Sequence, residues 1–292
     1  MLSLHTNAAS LSAQNSLSST QNKLSTSMTR LSTGFRINSA MDDAAGLQIA
    51  TRLKAQTSGM AVAMRNTQNS ISMLQTAEGA LDEVTNILTR MKDLATQSAD
   101  ASSSTADQTA MQAEYDSLTD ELNNIFGNTK FGGTALLSTT GKLATGTLTF
   151  QIGSDTSEKM VADFQTALNT DVIGKITTAA AGFTGASGAA AAAGTEINAT
   201  NANASINKLS DAINGVSSLR SKIGAVSNRL DHVYNNLSNI STNTQNATGR
   251  IMDVDFASES AKMTSNQMLM QAGTAMLKQT NSMSSMVMSL LQ

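Results

Sequence analysis

The chain has no cysteine, no proline and no tryptophan, and only 3% of its 292 residues are aromatic. Without cysteine there is neither a disulfide framework nor a thiolate metal site. A proline inside a helix costs about 3 kcal/mol, so a proline-free chain is compatible with very long helices. Few aromatics beside abundant Ala, Ser, Thr, Asn and Met argue against one large conventional core. Charge is sparse as well: 14% of residues are charged, the net is −3, and acids and bases are interspersed along the middle of the chain. That distribution lacks the clustered basic face that nucleic acid requires. No run of about 18 apolar residues occurs, so no membrane span is expected. The opening residues lack a charged n-region followed by an apolar h-region, so no Sec-type signal is expected there.

What is present is periodicity. Near the start, Leu17, Leu24 and Leu31 recur every seven residues, with Met28 between them. Near the end, Leu269, Met276, Met283 and Leu290 do the same, joined by Val287, while Met263, Met270 and Leu277 draw a second stripe. Apolar residues at this spacing keep a seam facing a partner helix, so both ends are coiled-coil candidates. Further in, Leu74, Leu81, Leu88 and Ala95 mark one long helix, and Leu209, Val216, Ile223, Leu230 and Leu237 another. Each carries a second stripe, as in a bundle. A shorter helix with Met111, Leu118, Leu122 and Ile125 follows the Ser-rich linker near 100–107.

The middle differs. "FGGTALL" at 131–137 and "GTLTFQIG" at 146–153 combine turn glycines with alternating apolar residues, the pattern of a β-hairpin. "AAAGFTGASGAAAAAGT" at 179–195 is low in complexity and predicts a surface loop. The expected fold is therefore mainly α, a long antiparallel helical bundle or coiled coil built from the two ends, with a small β-hairpin region in the middle. The layout is close to palindromic. Folding the chain back on itself, 1–33 beside 260–292, buries the terminal stripes.

The terminal helices have a weakness. Their polar positions are Ser, Thr, Asn and Gln, and after Glu259 the only charges are Lys262 and Lys278. Such helices are marginal alone in water, which predicts ends that order on packing against copies of the same chain. The plain alternative is an intramolecular hairpin.

Catalysis is not expected. His5 and His232 are separated by most of the chain, and no serine sits in a nucleophile-elbow context. Asp42 and Asp43 are adjacent, so they diverge rather than face each other. Asp253 and Asp255 lack the glycine and closing glutamate of a calcium loop and suit a helix N-terminus. Neither a cofactor nor a metal is expected.

Four motifs carry a family resemblance. "LSTGFRINSAMDDAAGLQIATRL" at 31–53 resembles the "LSSG-RINSA-DDAAGL-I" segment of bacterial flagellins, and "TAEGALDEVTNILTRMKDLATQSAD" at 76–100 resembles the helix after it. "FGGTALL" resembles the hairpin entry and "ATGRIMDVDFASESAKMT" at 247–264 the C-terminal segment. With little between the two halves, the chain resembles a minimal flagellin. The resemblance implies a subunit of an open helical homopolymer, the extracellular flagellar filament that drives motility. It implies an inner coiled-coil domain (1–33 and 260–292), spoke segments (34–50 and 247–259), an outer core (51–178 and 203–246, with the hairpin region near 128–160) and a short variable excursion (179–202). Arg36, Asp42, Asp43 and Arg250 become candidate spoke contacts. Other implied partners are an export chaperone on the C-terminal helix, hook-associated and cap proteins, and a vertebrate innate immune receptor at Arg90, Leu94 and Glu114. Export would follow the flagellar type III route. Met41 stands where lysine is common and Phe35 where leucine is common. A hook–filament junction protein, or another secreted coiled-coil protein, is the competing reading.

Overall fold

The computed structural model describes residues 7–186, 194–198 and 200–290, with side chains described as far as Met283. The chain divides into two compact units, one of Met1–Thr57 with Thr242–Gln292 and one of Ser58–Ser241.

In the first unit, helix α1 (Ala8–Thr33) lies antiparallel to the last helix, α6 (Phe256–Leu290). The Ser27 hydroxyl donates to Glu259 at one end of the pair, and the Ser10 hydroxyl donates to Asn281 toward the other. Helix α1 is capped by the Asn7 side chain, which accepts the Ser10 amide, and is ended by Gly34 at φ +75°. That left-handed conformation is strained for any residue with a Cβ. Helix α2 (Ala44–Ser98) starts where the Asp43 carboxylate accepts the Gly46 amide at 2.8 Å. Of the two expected spoke segments, irregular backbone occupies 34–43 in the first, and in the second α5 (Ala202–Met252) and α6 leave 253–255 outside a helix.

Helices of 55 and 51 residues are possible in so Ser/Thr-rich a sequence because the hydroxyls stay within the helix. Thr51, Thr57, Thr67, Thr85 and Thr96 each donate to the carbonyl four residues back. They therefore need no tertiary partner.

The second unit holds the conventional core. Leu74, Leu81 and Leu88 of α2 and Leu209, Val216, Ile223 and Leu230 of α5 are fully buried. They pack in one cluster with Tyr115, Leu122 and Phe126 of α3 (Thr105–Asn128), whose start carries a Ser104–Asp107 capping box. The middle contains two antiparallel two-stranded sheets, β1 (Lys130–Phe131) with β2 (Thr134–Ala135), and β3 (Thr147–Gln151) with β4 (Lys159–Asp163). In the longer one Phe150 pairs with Met160 and faces the core. A π-helical stretch, Ala167–Ile173, then runs into α4 (Gly174–Ala179).

Of the 179–195 stretch, residues 187–193 lie outside the described residues, and the described flanks are less of a surface loop than their composition predicts. Phe183 is buried and meets Phe126 edge-on at 5.1 Å. The buried Asn123 amide oxygen accepts the Thr184 and Gly185 amides while its NH2 donates to the Gly182 carbonyl. Gln112 accepts the Ile197 amide and donates to Asp116 and Glu196. One aromatic and two amide side chains thus tie both flanks of the excursion to α3. A scan for low complexity gives no weight to isolated anchors of that kind.

Candidate assembly surface

The segment between α1 and α2 is held by the turn between α5 and α6. Phe35 and Asp253 form an antiparallel bridge, the Val254 amide donates to Gly34, and the Arg36 amide donates to Met252 at 2.6 Å. The Arg36 guanidinium donates to the Ile251 carbonyl at 2.8 Å. Asp42 accepts the Asn38 and Ser39 amides at 3.0 and 2.9 Å and pairs with Arg30 at 3.6 Å. Those amides hold its carboxyl below the usual range, with smaller help from the Ser39 hydroxyl and Arg30. Three of the four expected spoke residues, Arg36, Asp42 and Asp43, are therefore committed within the chain. Arg250 differs: it is exposed and borders a shallow depression with Gln245, Asn246, Gly249 and Asp253.

Between α1 and α6 the seam follows a strict 3–4 spacing. On α1 the seam positions, buried or half-buried, are Ser10, Ala13, Leu17, Thr20, Leu24, Ser27 and Leu31, with half-buried Arg30 beside them. On α6 they are Glu259, Met263, Asn266, Met270, Gly273, Leu277 and Thr280. Large apolar residues alternate with small or polar ones, so the backbones approach closely; a Cβ on Gly273 would stand 3.3 Å from Leu17. Leu17, Leu24 and Leu31 line this seam as the spacing predicts. Met28, Leu269, Met276 and Met283 do not. They are 56, 55, 63 and 55% exposed, on the outside of the hairpin, with Leu11 at 63% and Met268 at 60%. Within the single chain the stripe through Met263, Met270 and Leu277 faces α1 instead, with Gly273 under Leu17. Val287 and Leu290 lie outside the residues whose side chains are described.

At the connector end of the hairpin is a polar groove of about 700 Å³, lined among others by Lys23, Ser27, Arg30, Glu259 and Lys262. Glu259 is buried, accepts the Ser27 hydroxyl at 2.6 Å and lies 3.4 Å from the Lys262 ammonium. The Ser27 hydroxyl is the main cause holding its carboxyl below the ordinary glutamate range, and Lys262 and Arg30 add to it. Sequence reasoning missed this pair. The available signal was a serine on the seam of α1 and the last acid before a stretch with only lysines.

In the second unit, Arg90 and Glu114 are exposed and paired at 2.7 Å. Leu94, grouped with them by the resemblance, is 1% exposed and packs in the core. Among the described residues no cluster of three or more acids, histidines or cysteines could hold a metal, and no helix is long and apolar enough to cross a membrane.

A helical hairpin that closes one apolar seam and leaves a second apolar stripe open defines a coiled-coil protein with surface left for further helices. Residues 4–142 match the bacterial flagellin N-terminal helical region, and residues 206–291 match the bacterial flagellin C-terminal helical region. The chain belongs to the bacterial flagellin family, a family of structural proteins. It is 40% identical to flagellin C of Vibrio cholerae over 164 residues, 56% of this chain and 42% of that protein. It is 41% identical to polar flagellin F of Vibrio parahaemolyticus over 58% of this chain and 44% of that one. The chain thus matches these curated relatives over less than half of their length. Among solved structures, one described as a flagellar hook-associated protein from Vibrio parahaemolyticus shares the fold at a TM-score of 0.57 and 20% identity, over 73% of this chain and all of that one.

Proposed function

We propose that this chain is a self-assembling subunit of the bacterial flagellar filament, an extracellular helical polymer that transmits torque for motility. The observation that carries the reading is the outer stripe of the terminal hairpin, Leu11 and Met28 on α1 with Met268, Leu269, Met276 and Met283 on α6, each more than half exposed. Large apolar side chains exposed in number along one pair of helices mark an interaction site. A surface that fits a different surface on the next copy, with a rotation that does not close, generates an open filament. Arg250, exposed and without a partner among the described residues, is the spoke residue best placed to reach a neighbouring subunit.

The same reading includes export by the flagellar type III route, a chaperone shielding the apolar outer face of α6 beforehand, and hook-associated and cap proteins at the polymer ends. It also includes contact of an innate immune receptor with Arg90 and Glu114, since Leu94 is not accessible in the folded subunit. An Arg90→Ala subunit is expected to lose potency on receptor-bearing cells, and undiminished potency overturns that contact.

The test of the main reading is electron microscopy of the purified chain after short filament seeds are added under mild salting-out conditions. Long regular filaments are expected. Rings or short oligomers would move the assignment to a junction protein, and persistent monomers to another secreted coiled-coil protein.

A further inference from the structure

Methionine is distributed unevenly between the two units. In Ser58–Ser241, Met60, Met73, Met91, Met111 and Met160 are buried, at 8% exposure or less, and Met64 is half-buried. In the terminal unit Met28, Met268, Met276 and Met283 are each more than half exposed, and Met41 is 97% exposed. A thioether reaches sulfoxide by donating its sulfur lone pair to a peroxide oxygen. The O–O bond breaks, a new S–O bond forms, and H2O2 leaves as water. Sulfur is oxidised and peroxide reduced, with no further reactant. The reaction follows exposure, and it turns a flexible apolar side chain into a polar one.

We propose that Met28, Met268, Met276 and Met283 form an oxidation site, taking one oxygen each from peroxide in the free subunit, and that this blocks its addition to a polymer. The assembly consequence rests on the filament reading above; the order of oxidation does not. Among the described residues nothing else on the outer stripe reacts: the remaining members, Leu11 and Leu269, are inert to peroxide. The stripe is therefore redox-sensitive through its methionines alone. Once subunits pack through it, the same sulfurs are shielded, so oxidation selects against unassembled chains and spares assembled ones.

The experiment uses the full unmodified chain. Free subunits are treated with dilute hydrogen peroxide to partial conversion and mapped by peptide mass spectrometry, then offered to filament seeds. Subunits in the pelleted polymer and those left in solution are mapped again. Sulfoxide is expected at Met41 and the four stripe methionines before Met60, Met73, Met91 or Met111, and sulfoxide at the stripe is expected to be depleted from the pellet and enriched in solution. Core methionines oxidising as fast as the stripe would overturn the site. Equal sulfoxide at the stripe in pellet and solution would overturn its effect on assembly. An untreated chain that never elongates would overturn the filament reading and the assembly consequence with it, while the peptide map still decides the site. Single Met→Leu variants at 276 and 283 provide a second readout: the ratio of treated to untreated elongation, taken within each variant, is expected to rise toward one.

Discussion

Glu259 is the one charged side chain that is buried among the described residues, and it sits where α6 meets α1. Its carboxyl is held low first by the Ser27 hydroxyl and then by Lys262 and Arg30, against the opposing push of burial. A depressed folded value means that the native state holds the ionised form more firmly than the unfolded chain does. The stabilisation is complete above the ordinary glutamate value of 4.5 and disappears as pH falls through the lower folded value. Acid is therefore expected to loosen the terminal hairpin. In a circular dichroism titration, Glu259→Gln is expected to flatten that acid limb while lowering stability at neutral pH. An acid limb unchanged in the variant would show that other carboxylates set it. Ser27→Ala, which leaves the buried carboxylate short of a donor, is expected to cost about 1–3 kcal/mol. At this scale the sequence was legible only where chemistry is local. Asp255 suits a helix N-terminus by sequence, and its carboxylate accepts the Ala257 and Ser258 amides at the start of α6. The Ser27–Glu259 pair joins residues far apart in the chain, and no periodic pattern announces it.

At the scale of single elements, periodicity was informative about existence and less so about facing. In the second unit Leu74, Leu81 and Leu88 of α2 and Leu209, Val216, Ile223 and Leu230 of α5 are fully buried, whereas the second stripe of α5 is mixed: Leu219 is buried, Val226 and Val233 are half-buried and Ile240 is 41% exposed. Helix α6 also carries two stripes, and its sequence alone does not choose between them; the choice falls to Gly273, whose missing side chain admits Leu17. Glycine decides a second contact in the same way. A Cβ at Gly215 of α5 would collide with the carbonyl oxygen of Asp171 in the π-helical stretch, whereas one at Gly224 meets nothing within 4 Å. The two positions make a matched test on one helix. Gly215→Ala is expected to destabilise the second unit by about 1–3 kcal/mol through overpacking. Gly224→Ala is expected to be neutral or to stabilise by up to about 1 kcal/mol through helix propensity. Thermal unfolding of the two variants beside the parent checks both signs. The π-helical stretch itself was not foreseeable, because nothing in the spacing of Ala167–Ile173 marks a change of hydrogen-bond register.

At the scale of the whole molecule, the exposed stripe separates stability from assembly. Leu269, Met276 and Met283 contribute little to the folded monomer, since each leaves more than half of its surface in water. Surface substitutions of this type change stability by about 0.5 kcal/mol or less. If copies pack through the stripe, each of the three buries apolar surface only in the polymer, at about 1 kcal/mol for the part that remains exposed. Replacing all three by serine would then remove about 3 kcal/mol from every addition, which raises the critical concentration roughly a hundredfold. The Leu269→Ser, Met276→Ser, Met283→Ser variant is thus expected to keep the parent's melting curve and lose seeded elongation at concentrations where the parent grows. A matched substitution on the closed seam, Leu24→Ser, is expected to do the opposite first: Leu24 is 6% exposed, so its loss should lower the stability of the hairpin before any partner is present. If the triple variant elongates like the parent, the stripe is not the growing contact and the interface must lie elsewhere on the subunit. If it fails to elongate because its own hairpin has melted, the dichroism signal of the monomer will already have fallen, and the two cases are distinguished in the same sample.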